Sequence, residues 1–152
     1  MTPRLALLGL LALPVQAADL CPLAKALNGF VVADTGYKTP PCPKIGFSAL
    51  PVGGTAVHSQ AGAFLPDSKR IELAPDLDLT GAYGQSYLLH ELVHAAQYAN
   101  GAQTRAACPA ALEAEAYTVQ AHFLRLHGLG QEALVISLLA DQLGSCGVQA
   151  DY

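Results

Sequence analysis

The chain is poor in charge, and poorest in positive charge. Only 13% of its 152 residues are Asp, Glu, Lys or Arg, and eight cations stand against twelve acids for a formal net charge of −4. Nucleic acid and anionic bilayers both reward clustered Lys and Arg, so neither is expected as a partner. Nor does any apolar run reach the ~20 residues that span a bilayer, which argues against stable membrane insertion. Other chemistries are missing too. Ser48, Ser59 and Ser86 lack the Gly-x-Ser-x-Gly setting of a serine hydrolase. No glycine loop suited to phosphate is present, since Gly53-Gly54 alone reads as a turn. No two cysteines have the close spacing of a Cys-rich zinc site, and no repeat or low-complexity tract occurs.

What stands at the start of the chain is an export pattern. Arg4 is followed by the short apolar stretch Leu5 to Leu13 and then by Val15-Gln16-Ala17, a small-residue cleavage pattern. A signal peptide over residues 1–17 is expected, leaving one domain over 18–152 and a periplasmic or secreted location. Cleavage removes Arg4, so seven cations face twelve acids. Leu20 before Cys21 disfavours lipid attachment at that cysteine. Cys21, Cys42, Cys108 and Cys146 all remain, and an even count in an exported chain reads as two disulfides with three possible pairings.

Residues 18–53 are rich in Pro and Gly and read as an irregular N-terminal arm, with one short helical stretch from Pro22 to Leu27. A Cys21–Cys42 bridge would pin it. Thr55–Ser59 and Gly62–Leu65 read as short strands. Pro66-Asp67-Ser68-Lys69 is a turn, and Arg70-Ile71-Glu72-Leu73 alternates strictly, which predicts a hairpin with Ile71 and Leu73 inward. A helix is predicted over roughly 85–100, with Leu89, Leu92, Val93 and Ala96 as its inward stripe and Asn100-Gly101 as its stop. A second runs from Pro109 to about His127 on Leu112, Ala116, Val119, Phe123 and Leu126. A third runs from about Gln131 to Leu143. The short Gly128-Leu129-Gly130 connection makes these two antiparallel and brings Cys108 near Cys146.

The informative residues lie on the first of these helices, in His90-Glu91-Leu92-Val93-His94. Positions i and i+4 share a helix face, so both imidazoles can reach one ion while Glu91 stands beside them. Two neutral nitrogens fix Zn²⁺, an open position takes water, and a carboxylate accepts its proton. Such a site needs a third protein ligand. Leu112-Glu113-Ala114-Glu115-Ala116-Tyr117 offers Glu113 and Glu115, which flank the apolar stripe on opposite sides, so periodicity leaves both open.

HExxH followed some twenty residues later by a helix-borne Glu resembles the gluzincin division of zinc metallopeptidases. Glu113, Ala116 and Tyr117 are similar to a Glu-x-x-Ala-Asp pattern found there, with Tyr in place of the final Asp. That Asp commonly supports a metal-binding His, so the resemblance implies Glu113 as ligand, with Glu115 second. It gives Tyr117 one of two tasks: supporting a histidine or hydrogen-bonding a substrate oxyanion. The segments 85–97 and 113–117 are also similar to small exported bacterial zincin-like domains without an assigned substrate. The fold implied is α+β: a minimal zincin-like domain with a short sheet on the HExxH helix, two antiparallel helices after it, and two disulfides. In zincin folds extended substrate pairs with a sheet edge ahead of the active helix.

The expected function is a zinc-dependent hydrolase, foremost a peptidase, acting on a peptide or protein substrate. His90, His94 and Glu113 would hold Zn²⁺, Glu91 would be the general base, and Tyr117 would assist. The competing expectation is a non-catalytic zinc-binding or vestigial module that binds a protein or envelope partner, which the small size of the domain favours. His58 reads as a surface strand residue, His122 and His127 as surface or helix-end residues. Gln97 reads either as a ligand-orienting residue or as a solvated one, and Tyr83 and Tyr98 as packing aromatics.

Overall fold

A computed structural model describes residues 19–49 and 61–147. The expected signal peptide, the strand Thr55–Ser59 with His58, and Gly53-Gly54 lie outside the described residues. Elements follow in the order α1 (Cys21–Thr35), β1 (Lys44–Phe47), β2 (Gly62–Leu65), β3 (Arg70–Leu73), α2 (Ala82–Ala99), a 3₁₀ turn (Ala102–Thr104), α3 (Pro109–Leu126) and α4 (Gly130–Gly144). The class is α+β, with a three-stranded sheet, four helices and two disulfides.

The N-terminal arm departs from expectation. Where residues 18–53 read as irregular with one short helix, the structure has a fifteen-residue helix and a strand. Ala24, Leu27, Asn28 and Val31 recur at helical spacing and are all buried, three of them in the main core with α2. Gly29 and the β-branched Val31 and Val32 lower the local propensity, so tertiary burial rather than intrinsic preference holds the helix. Gly36, at φ +72°, ends it in the left-handed conformation that glycine adopts without strain. The Cys21–Cys42 bridge then ties the helix start to the segment entering β1.

The β2–β3 hairpin forms as expected around residues 66–69. β1 joins β3 in parallel on its other side, so the order is β1-β3-β2. Ile71 and Leu73 are fully buried, as their alternation predicts. In the described sheet β2 is an edge, and it lies against α2.

The central element is α2. Leu88, Leu89, Leu92, Val93 and Ala96 are almost fully buried between α1, the sheet and α3; each Leu or Val contributes about 1.5–3 kcal/mol. The helix begins at Ala82, three residues before the expected start. Gly84 permits this: a Cβ there would fall 1.8 Å from the Asp78 carbonyl oxygen, so only glycine lets the preceding loop lie flat on the first turn. Gln85 then clasps the same loop by donating to the Leu79 carbonyl at 3.0 Å.

α3 is wedged between α2 and α4, with Ala116, Val119 and Phe123 facing the main core and Ala121 and Leu124 meeting Ala133 of α4. Leu126, expected in the buried stripe, is 64% exposed, because two packed faces turn the last turn outward and Leu124 is buried instead. Arg125 donates to Ser137 Oγ, and Gly144 lies beside Ala114, so the two helices run antiparallel. Cys108 and Cys146 meet at their open end with Cα atoms 5.9 Å apart. Among the described residues no helix is long and apolar enough to cross a membrane.

Candidate metal centre

His90 and His94, one turn apart on α2, point toward α3, and Glu113, in the second turn of α3, points back. His90 Nε2 lies 3.1 Å from Glu113 Oε2, and His94 Nε2 lies 3.1 Å from Glu113 Oε1. The two imidazole nitrogens are themselves 3.1 Å apart. Ligands about 2 Å from a tetrahedral ion stand about 3.3 Å from one another, so the spacing fits a single small cation. All three ligand atoms lie within 4.8 Å of one another, and together they form a group able to hold a metal ion.

The outer hydrogen bonds decide which nitrogen each histidine presents. Gln97 is fully buried. Its Nε2 faces two acceptors, the Leu112 carbonyl and Glu115 Oε2, both at 2.8 Å. Its Oε1 must then face His94 Nδ1, at 2.8 Å, and accept a proton from it. Nδ1 carries a proton, and Nε2 is the nitrogen turned into the group. His90 is fixed alike. Its Nδ1 donates to Gln120 Oε1 at 3.1 Å, Gln120 Nε2 donates to Ser86 Oγ at 3.1 Å, and Ser86 donates to the Tyr83 carbonyl at 2.7 Å. Such partners set tautomer and ring orientation in metal sites.

The choice between Glu113 and Glu115 follows from helix geometry. Two residues apart is some 200° around a helix, so one carboxylate faces the histidines and the other faces away. Glu113 joins the group, while Glu115 accepts from Gln97 and, at 3.0 Å, from the Tyr37 hydroxyl. Tyr117 also has a different place from one of its two expected tasks. Gln120 serves His90 Nδ1, whereas the Tyr117 ring lies against the His90 ring, centroids 4.5 Å apart and tilted by 57°.

Glu91 is buried beside the histidines and meets β2. Ala74 N–H donates to Ala61 C=O, so in this antiparallel register the N–H groups of Gly62 and Phe64 point away from β3. The Phe64 N–H faces the Glu91 carboxylate and weakly favours its charged form. Gly62 makes room for it, since a Cβ there would lie 2.8 Å from Glu91 Cγ.

The electrostatics follow from this crowding. Burial pushes the Glu91 carboxyl above the usual carboxylate range, against the pull of His90 and His94. Burial also works to raise Glu113, but hydrogen bonds from His90 and His94 outweigh it and hold Glu113 well below that range. Burial alone would lower His94. The hydrogen bond and charge of Glu113 win, and the imidazole is pushed up to about 9. Burial, then the charges of Glu113 and Glu91, raise Tyr117 to about 12, so its hydroxyl keeps its proton.

The remaining candidates stand apart from the group. His122 pairs with Asp34 at 2.8 Å and lies near Phe30, and His127 caps α3 on the Phe123 carbonyl. Both tyrosines pack, Tyr98 on Phe64 and Tyr83 edge-on against Tyr87 with ring centroids 5.3 Å apart and the two hydroxyls 2.9 Å apart. The sequence gives no site role to Gly62, Ser86, Gln120 or Tyr37, although all four border the group or its hydrogen-bonded supports. A signal did exist for Gln120, at Glu113+7 on the same face of α3; Tyr37 had none.

No curated protein and no solved structure matches the chain. Residues 50–147 match the family model described as a domain of unknown function, DUF6647. That stretch contains β2, β3 and α2 to α4, and with them His90, Glu91, His94 and Glu113. The chain belongs to the DUF6647 family, and the His90–His94–Glu113 group able to hold a metal ion lies within its family domain.

Proposed function

We propose that this protein is an exported zinc-dependent hydrolase of gluzincin type that acts on peptide bonds. The observation that carries the reading is the convergence of His90, His94 and Glu113 with Glu91 buried alongside but outside the ligand set. Two imidazoles and one carboxylate suit Zn²⁺, and three protein ligands are the number that leaves a catalytic position open. Among the described residues no fourth His, Cys, Asp or Glu joins them, which favours a catalytic site over a closed structural one.

A zinc ion held there would supply Lewis acidity, acidifying water and polarising a carbonyl. Glu91 takes the proton from the attacking water and passes it to the leaving nitrogen. Its raised carboxyl suits both transfers, and the close approach of Gly62 leaves room for it beside the histidines. Tyr117 retains its proton and donates to the oxyanion that develops at the carbonyl. The described edge of β2 offers an extended peptide a place to align beside Glu91. Two disulfides fit an oxidising compartment.

The test is Glu91→Gln. Zinc content should stay at one per chain, while hydrolysis of a denatured protein or peptide library falls about 10²–10⁴-fold. Removing the buried charge should also raise the Tm of the metal-free protein, because an acid whose folded pKa lies above its unfolded value opposes folding once ionised. Hydrolysis at the wild-type rate in this variant would end the mechanism. Stoichiometric zinc in a wild-type protein that cleaves nothing would favour the binding module instead.

A further inference from the structure

The metal group is braced from behind by a chain of hydrogen bonds that crosses three elements. From His94 it runs through Gln97 on α2 to Glu115 on α3, and from there to Tyr37 in the segment between α1 and β1. Every link is 3.0 Å or shorter. Gln97 has no spare capacity at its amide nitrogen, because one N–H is taken by the Leu112 carbonyl and the other by Glu115.

We propose that Glu115 is a positioning residue for the metal centre, its charge acting through Gln97 on His94 and so setting the affinity for a divalent cation. This rests on the metal-binding reading above. A carboxylate that accepts from an amide N–H draws positive charge toward the nitrogen and leaves the amide oxygen more negative. Gln97 Oε1 then accepts more strongly from His94 Nδ1–H, and Nε2 becomes a better donor to a cation. Leu112 C=O alone would orient the amide; only Glu115 adds a full charge. That charge is tolerated because Glu115 also borders a shallow hollow of about 260 Å³, shared with Tyr37, Arg105 and Leu112. Tyr37 holds the carboxylate from the far side. Tyr37 precedes the DUF6647 match at residues 50–147, so the N-terminal region completes a site whose ligands all lie inside the family domain.

The experiment is zinc competition against a chromophoric chelator, with thermal melts of the metal-free proteins alongside. Glu115→Gln keeps the size and an oxygen acceptor and removes only the charge. Its zinc affinity should fall about tenfold, the low end for outer partners of metal ligands, with the metal-free Tm unchanged. Tyr37→Phe should weaken zinc in the same direction by a few-fold. In ¹⁵N spectra of the imidazoles, His94 should shift in Glu115→Gln while His90 stays near its wild-type position. Glu132→Gln on the first turn of α4 controls for net charge and should bind as wild type. The proposal is overturned if Glu115→Gln binds zinc like wild type, or if Glu132→Gln loses as much. It is overturned equally if affinity falls only in variants whose Tm falls too, which would make Glu115 a plain tether of α2 to α3. A wild-type protein that takes up no zinc would remove the metal reading itself, an outcome distinct from these.

Discussion

At the scale of single residues, the site depends on one missing side chain and one misplaced proton. Gly62 faces Glu91 so closely that a methyl group would sit 3.0 Å from its Oε1. Gly62→Ala should therefore displace the carboxylate rather than the metal ligands. Hydrolysis should fall at least tenfold with zinc affinity within a factor of two of wild type, at a cost of about 1–3 kcal/mol in stability. Steady-state rates with chelator titration check this, and equal losses of rate and zinc would contradict it. The proton is that of His94. Without metal its folded pKa, about 9, lies above the unfolded 6.5. A raised folded value stabilises the fold fully below the unfolded one, and the benefit is lost as pH rises through about 9. Its size is on the order of a few kcal/mol. With zinc the sign reverses, because binding needs the neutral imidazole and grows as protons leave. Melts of chelated and zinc-loaded protein should diverge over that window, and parallel curves would refute the assignment.

At the scale of elements, α3 carries the decisive information. By periodicity alone Glu113 and Glu115 are equivalent, since both flank the stripe of Ala116, Val119 and Phe123, and only the gluzincin-like pattern favours Glu113. Their roles diverge only once α2 and α4 fix the rotation of the helix. The Cys108–Cys146 bridge secures that rotation at the end where both glutamates lie. Replacing both cysteines by serine should cost about 2–4 kcal/mol, as expected for so long a closed loop. It should also weaken zinc, because the first turns of α3 then fray. A calorimetric melt and a zinc titration would show both losses, and unchanged zinc affinity would mean that packing alone positions Glu113. The hairpin, the HExxH helix and the antiparallel pair were legible because their apolar spacing, turn residues and caps agree. α1 was not, since its glycine and paired valines argue locally against a helix while burial against α2 argues for one.

At the scale of the whole molecule, the family domain and the folding unit differ in extent. The match begins at residue 50, yet Ala24, Leu27 and Val31 of α1 are core residues and β1 pairs with β3. A fragment of residues 50–147 would bare one face of α2, leave β3 as an edge and lose Tyr37. It should melt without a cooperative transition and bind zinc far more weakly than the full chain. A sigmoidal melt with full affinity would show α1 and β1 to be accessory.

The sequence by itself determined which groups can act. Two imidazoles one turn apart, a glutamate between them and acids on a later helix can form a group able to hold a cation, because helical periodicity is local and needs no knowledge of the fold. It also favoured the pairing of Cys108 with Cys146 among the three possible, since a short turn between helices brings the two together. The motif resemblance favoured Glu113 as the completing acid, but only the tertiary structure showed it facing the histidines, and only there do the amides that fix the two histidines and the glycine that admits Glu91 come to light. Those choices depend on helix rotation and on contacts between residues far apart in the chain, such as Tyr37 with Glu115 and Gly62 with Glu91. Packing sets these contacts, and no local pattern encodes it.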